Sequence, residues 1–147
     1  MTVTNAISTL ETLTDTAVDS ALGYETAAEK AKNPGLKQTL HAQAAKRRET
    51  VRMLNDEIVR LGGDRRENGS TLGAAHRAFT SLSDAFQDSN KAATERVEEG
   101  EDYIAKKFRE ALEHADLTPE SRSVVERAHA EISAGERLAD RLEKQFD

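Results

Sequence analysis

An arginine lies in the middle of an otherwise apolar helical stripe, and this feature constrains the fold most. Between Leu36 and Leu61 the residues of one face recur at steps of four or three, the period of a helix packed in a bundle. They are Leu36, Leu40, Ala44, Arg47, Val51, Leu54, Ile58 and Leu61. Because an unpaired guanidinium strongly destabilises a helical core, other helices must bring carboxylates to the level of Arg47. The pattern therefore predicts a helical bundle with a charge at its centre.

Caps, prolines and glycines mark the ends of the helices. Asn33-Pro34 ends one helix and starts the next, because proline disfavours helix in the residue before it but fits the first helical turn. Gly62-Gly63 closes the second helix, Thr118-Pro119 starts the last, and Thr4 or Asn5 is the expected N-cap of the first. The predicted helices span about residues 5–32, 35–62, 71–88, 90–115 and 119–146.

The connection between the second and third long helices is itself amphipathic. Five apolar residues repeat there at helical spacing, in a linker longer than a bundle turn needs. They are Leu72, Ala75, Phe79, Leu82 and Phe86. A helix over this segment would span on the order of 27 Å, much of the length of a bundle. We therefore predict an all-α fold with one domain over residues 1–147, a ferritin-like four-helix bundle of two antiparallel hairpins joined by an amphipathic crossover helix.

Composition and charge exclude several classes of function. A chain of 147 residues that is 33% charged and only 4% aromatic is typical of a helical bundle. Its net charge of -6 and its lack of a long basic cluster argue against binding nucleic acid. The absence of cysteine excludes disulfides, thiol catalysis and cysteine-ligated metals. No stretch approaches the roughly 20 apolar residues of a membrane span, and no leader segment is recognisable, so we expect a soluble cytoplasmic protein.

Five short stretches together resemble a known family. They are Tyr24–Leu36, Arg60–Gly63, Gly69–Phe79, Glu98–Asp102 and Leu117–Pro119. In order and spacing they resemble a bacterial family of uncharacterised ferritin-like four-helix-bundle proteins, classed as a domain of unknown function. The resemblance covers nearly the whole chain and implies the ferritin-like fold and a bacterial source, but it implies no activity. At Gly135-Glu136 the chain departs from the histidine followed by an acid that the resemblance leads us to expect.

A ferritin-like bundle can hold two metal ions, whose ligands follow a recognisable sequence pattern. Such a centre takes a Glu from each of two helices and a Glu-x-x-His from each of the other two. The one literal match, Glu126 to His129, is expected to face solvent, because Glu126 lies nearly opposite the apolar stripe of its helix. Glu25 falls level with His41 across the first turn. The alternative hypothesis is a metal-binding or iron-oxidising protein that holds iron or manganese. Its ligands would be Glu25, His41, Glu101 and Glu131.

The preferred interpretation places a core ion pair where the metals would be. Glu101 and Glu131 border the apolar stripes of the third and fourth long helices, about halfway along, and Arg47 has the same relative position in its own helix. Gln43 lies one turn from Arg47. The planar guanidinium can bind two carboxylates, so we predict a cluster of these four residues and no metal or cofactor. In the alternative, Arg47 extends out between helices and buries only its stem.

The remaining motifs do not indicate an enzyme. No serine or threonine is paired with a base, no glycine-rich phosphate loop is present, and the acid pairs Glu98-Glu99 and Glu101-Asp102 are typical of a solvated helix surface. We therefore expect a non-enzymatic protein that acts by self-association as a homo-oligomer or by binding a protein partner, with a role in stress as an analogy from the fold. A third hypothesis is a small-ligand carrier, with a pocket under the crossover helix near Phe79 and Phe86.

Overall fold

The computed structural model of the protein describes residues 2–69 and 89–146. These residues form four α-helices and no strand, which confirms the predicted helical class for this part of the chain. The helices are α1 (Thr2–Lys30), α2 (Pro34–Arg60), α3 (Ser89–His114) and α4 (Pro119–Gln145). The helix predicted over 71–88 lies outside the described residues. Within the two described ranges, no helix is both long enough and apolar enough to cross a bilayer.

Two helices begin at the predicted caps. The side-chain oxygen of Asn33 accepts the amide N–H of Leu36 at 3.0 Å, and the hydroxyl oxygen of Thr118 accepts that of Ser121 at 3.1 Å. A proline follows each cap and lacks the N–H that would be unpaired there. At the other end of α2, Gly62 takes a φ of 99°, which only glycine adopts without strain.

The start of α1 differs from its prediction. The helix begins at Thr2, so Thr4 and Asn5 lie inside it rather than at its cap. Threonine and asparagine favour the N-cap position but are tolerated in a first turn. Thr2 is the first residue that the structure describes, and it is already helical.

Neighbouring helices run antiparallel. Short turns join α1 to α2 and α3 to α4, which gives two hairpins. Across the hairpins, the amides of Lys32 and Asn33, just after α1, donate to the side-chain oxygen of Asn90 at the start of α3. The hydroxyl of Ser121 near the start of α4 donates to Glu57 near the end of α2 at 2.7 Å. Because α2 and α3 are both antiparallel to α1, they run in the same direction.

The apolar core is divided into two clusters along the bundle axis. One contains leucines and isoleucines around Phe108, and the other is rich in alanine and surrounds Leu36 and Leu40. The level between them carries polar side chains that are nonetheless buried, among them Arg47 and Glu101. Packing of the apolar clusters on both sides removes water from this level, so its charges must find partners inside the protein.

Candidate functional site

The centre of the bundle holds a bidentate ion pair between α2 and α3. The Arg47 side chain is fully buried, and its Nη1 and Nη2 donate to the two carboxylate oxygens of Glu101 at 2.7 Å each. Glu101 is only 1% exposed. Two parallel charge-assisted hydrogen bonds fix the planar guanidinium against the planar carboxylate.

A second carboxylate and a hydroxyl complete the coordination of the guanidinium. Nε of Arg47 donates to Oε1 of Glu131 on α4 at 3.0 Å, and Nη2 lies 3.5 Å from Oε2 of the same residue. Nη1 also donates to the hydroxyl oxygen of Ser20 on α1. A guanidinium has five N–H donors, and each of them faces an acceptor here. All four helices therefore contribute to one buried cluster.

Tyr24 and Thr50 hold the carboxylates from the other side. The hydroxyl of Tyr24 donates to Oε2 of Glu101 at 2.6 Å, and its ring centroid lies 5.6 Å from the guanidinium carbon of Arg47. The hydroxyl of Thr50 donates to Oε1 of Glu131 at 2.8 Å. The predicted fourth member, Gln43, is buried and hydrogen bonds to Tyr24. We name these residues together the ion cluster. Its members are Ser20, Tyr24, Gln43, Arg47, Thr50, Glu101 and Glu131.

Three members of the ion cluster were not assigned from the sequence. Tyr24, Ser20 and Thr50 are not among the residues that the sequence pattern assigns to the centre of the bundle. A tyrosine on a buried stripe needs a partner for its hydroxyl, and this requirement was the signal that could have found Tyr24. Serine and threonine are too common on helices for a single position to stand out.

Gly135 on α4 makes room for the ion cluster. A Cβ atom on this residue would collide with a carboxylate oxygen of Glu101 and would lie 2.9 Å from Nη2 of Arg47. Any side chain here would push the ion pair out of place. The departure at Gly135-Glu136 from the expected histidine and acid therefore has a steric reason in this chain.

Electrostatics keep Arg47 charged and Tyr24 neutral at neutral pH. Burial raises the pKa of Tyr24 well above its ordinary value, and the charge of Glu101 and the hydrogen bond to it raise the pKa further, against the opposing charge of Arg47. For Arg47, burial lowers the pKa, but the hydrogen bond to Glu101 and the charges of both glutamates outweigh burial and raise it. A charged Arg47 and a neutral Tyr24 are therefore not poised as a general acid or base near neutral pH.

The alternative metal ligands do not converge. Glu25 binds Arg48 at 3.0 Å, and both side chains are partly exposed, while His41 is exposed. Of the proposed set, only Glu101 and Glu131 lie together, and both bind the Arg47 cation. Within residues 2–69 and 89–146, no group of three or more histidines or acids is arranged to hold a metal ion. The described side chains therefore do not fit the dimetal centre of a ferritin-like bundle.

Half of the prediction for the Glu126 and His129 pair was wrong. Glu126 is exposed as predicted, but His129 is only partly exposed. Its Nε2 is buried and has no hydrogen-bond partner among the described residues. Burial lowers the pKa of His129, and the charge of Arg109 lowers it further. The reason for the error is that His129 follows buried Ala128 directly and so lies at the edge of the packed face.

The acid pairs of α3 are not simply solvated surface. Glu98 is partly buried, and burial raises its pKa to about 7, with further contributions from a hydrogen bond to Asp102 and the charge of Asp102. On α4, burial and the same Asp102 also raise the pKa of Glu136. Glu98 and Asp102 are four residues apart on α3 and so are neighbours on one helix, whereas packing of α3 against α4 adds Glu136 to them.

Comparison with known families adds one match. Residues 5–114 match the family model described as Domain of unknown function (DUF2383). The chain belongs to this family. The DUF2383 match includes Arg47 and Glu101 and ends before Glu131 and Gly135. A search of curated proteins found no match.

Proposed function

We propose that this DUF2383 protein is a non-enzymatic bundle of the ferritin-like type that acts by self-association or by binding a protein partner. In this proposal the ion cluster replaces a dimetal centre. The observation that carries it is the Arg47 guanidinium, whose five N–H donors all face acceptors. A metal at this level would have to displace a buried cation from both glutamates. The ion cluster therefore serves the fold, and recognition is left to the surface.

The direction of the helices supports the ferritin-like assignment. α2 and α3 run in the same direction, whereas a simple up-down bundle would have them antiparallel. The end of α2 lies beside the start of α4, and the start of α3 lies at the opposite end, beside the turn between α1 and α2. These positions support a crossover connection between Arg60 and Ser89. The bacterial source and cytoplasmic location in this proposal rest on the resemblance of the sequence stretches, and the role in stress rests on analogy of fold.

An exposed aromatic residue supports an interaction surface on α3. Tyr103 is 57% exposed, and Nζ of Lys107 lies 5.4 Å from its ring centroid. Tyrosine is enriched among the residues that contribute most to binding at protein interfaces. The other large hydrophobic residues exposed in the described ranges are two valines, Val3 and Val59. Tyr103 is therefore the position at which we expect a partner or a second copy to bind.

Elemental analysis tests the metal-free centre. The protein is purified without chelator, incubated with ferrous iron or manganese, desalted and measured for metal per chain. We expect no stoichiometric metal, and we expect Glu101→Gln to leave the measured content unchanged. Stoichiometric iron or manganese that disappears in Glu101→Gln would overturn the proposal in favour of the metal-binding alternative.

Light scattering and site-specific photocrosslinking test the association. A molar mass that is a multiple of the monomer and falls in Tyr103→Ala identifies self-association through this surface. If the protein is monomeric, a photoreactive residue at position 103 in cells of the source organism is expected to give a discrete protein adduct. The matched control is the same residue at position 126, because Glu126 is exposed on α4. A monomer that gives no adduct at position 103, or the same adducts at both positions, would refute binding through Tyr103.

A further inference from the structure

We propose that the ion cluster selects the axial register in which the two hairpins of the bundle dock. The first hairpin is α1 with α2, and the second is α3 with α4. In this proposal the apolar core holds the hairpins together but accepts more than one register, whereas the buried charges accept only one. The inference goes beyond the proposed function, because it concerns how the chain reaches a single arrangement and not what it binds.

The hydrogen bonds that the ion cluster makes between the hairpins have their donors on one hairpin and their acceptors on the other. The donors are the Arg47 guanidinium and the hydroxyls of Tyr24 and Thr50, all in the first hairpin. The acceptors are the carboxylates of Glu101 and Glu131, both in the second hairpin. A guanidinium has no acceptor and an ionised carboxylate has no donor. Each hairpin therefore needs the other to compensate its charge at this level.

Apolar residues recur at each turn of the helices in the core, so apolar packing repeats along the bundle axis. A slide of one hairpin past the other by one helical turn, about 5.4 Å, would bring each apolar residue to the place of the next. On α2, Leu54 would move to the place of Val51 or Ile58, while α3 presents Ile104 and Phe108 one turn apart. The other apolar cluster is rich in alanine, whose short side chains interlock little. Because hydrophobic attraction is non-directional, this core distinguishes neighbouring registers weakly.

The same slide would break the hydrogen bonds between Arg47 and the two glutamates. The bidentate bonds to Glu101 are 2.7 Å long, and a hydrogen bond is lost beyond about 3.5 Å. Arg47 is fully buried and Glu101 is 1% exposed, so water cannot replace the lost partners. A slide by one turn would therefore leave unpaired charges in the core, which is strongly unfavourable.

Gly135 makes the fit at this level steric as well as electrostatic. A Cβ there would lie 2.9 Å from Nη2 of Arg47, so the guanidinium fits opposite a residue without a side chain. One turn away on the buried face of α4 are Ile132 and Ala139, which both have side chains. A slide of α4 by one turn in either direction would therefore place a side chain against the guanidinium. The space for Arg47 exists in one register.

Polar contacts near the ends of the hairpins constrain the register less. The hydroxyl of Ser121 donates to Glu57, but Glu57 also binds Arg60, so its charge stays compensated without Ser121. The contacts of Asn90 with the amides of residues 32 and 33 are exposed, and water can replace them. The central charges have no such substitute, so the selection of register rests on the ion cluster.

Pulsed electron spin resonance measures the register directly. The chain contains no cysteine, so the changes Ala42→Cys and Ser123→Cys provide the two sites for spin labels. Both residues are exposed, one on α2 and one on α4, and they lie on opposite sides of the ion cluster along the bundle axis. The labelled parent should give one narrow distance. A variant without the charges, Arg47→Met with Glu101→Gln and Glu131→Gln, should give at least one further distance, displaced by up to about 5 Å, the rise of one turn.

A change in apolar packing is the matched control. Ile58→Val removes a methyl group from the leucine- and isoleucine-rich cluster and leaves the charges in place. It should keep the single distance of the parent. A further distance in Ile58→Val as well would overturn the proposal, because the register would then depend on apolar packing.

The variant without charges can contradict the proposal in two other ways. If it kept the single narrow distance of the parent, the apolar core would select the register by itself. If it lost its helical circular dichroism, the apolar core would not hold the hairpins in any register. Either result would overturn the proposal. None of these outcomes depends on metal binding or on an interaction of Tyr103 with a protein.

Discussion

Replacing Arg47 with alanine should strongly destabilise the fold. The change leaves Glu101, which is 1% exposed, with one remaining hydrogen bond, from the hydroxyl of Tyr24. Glu131 is 23% exposed and still accepts a hydrogen bond from the hydroxyl of Thr50, so water can solvate its carboxylate in part. Most of the loss therefore comes from Glu101. Removing one partner of a buried ion pair costs about 3–5 kcal/mol, which is a large fraction of the stability of a domain of this size.

Urea unfolding followed by circular dichroism measures this loss, and an exposed ion pair provides the control. Arg48 binds Glu25, and these side chains are 38% and 40% exposed. Arg48→Ala should therefore cost less than about 1 kcal/mol. Both variants remove a guanidinium from α2, so the difference between them isolates burial. The slope of the transition should stay the same, which would show that the folded state has not expanded.

A compensated variant separates the charge from the packing. Arg47→Met combined with Glu101→Gln and Glu131→Gln removes all three charges while keeping similar side-chain volume. It should be much closer to the parent than Arg47→Ala, because no uncompensated charge remains. A loss of less than about 1 kcal/mol for Arg47→Ala would refute the reasoning, since a value typical of a surface pair cannot arise from a stranded buried carboxylate.

Three further predictions concern the surroundings of the ion cluster. Gly135→Ala should lower the free energy of unfolding in urea by about 1–3 kcal/mol, because the added Cβ overpacks the ion cluster. Gly100→Ala should raise it by about 0.5–1 kcal/mol, because alanine favours a helix interior over glycine. Equal effects of the two changes would contradict the steric role of Gly135. Tyr24→Phe should lower the free energy of unfolding by about 1.5–3 kcal/mol, because Glu101 loses a hydrogen-bond donor. Ultraviolet titration of the parent should show one phenol that does not ionise near pH 10. Two phenols with ordinary titration would contradict the buried hydrogen bond. Folding raises the pKa of Glu98 from 4.5 to about 7, so the folded state holds this proton more tightly than the unfolded chain does. The free energy of unfolding should therefore rise as pH falls from above 7 toward 4.5. Glu98→Gln should flatten this part of the pH dependence of the urea midpoint, and an unchanged slope would show that Glu98 titrates normally.

Local chemistry determined the helices and most of their ends from the sequence. Asn33-Pro34 and Thr118-Pro119 start helices because a cap and a proline act on backbone groups within one turn. Gly62 ends α2 through a backbone conformation that its own lack of a side chain permits. The stripe around Arg47 likewise indicated a buried cation that needed acids, because helical period follows from the order of residues alone. The start of α1 was placed wrongly, since a favoured cap residue is also tolerated inside a helix.

Beyond Arg47, Gln43, Glu101 and Glu131, which the sequence predicts to share one level, only the tertiary structure decided which side chains meet. The rotation of each helix about its axis and its axial register depend on packing against three others, and neither is encoded in one segment. Packing brings Ser20, Tyr24 and Thr50 to the guanidinium and leaves room for it at Gly135. It also places Glu136 of α4 beside Asp102 of α3. The same packing buries Nε2 of His129, which the period of its own helix predicted to face solvent. Hydrogen bonds and charge interactions act over a few ångströms between residues far apart in the chain, so they become visible only when the helices are assembled.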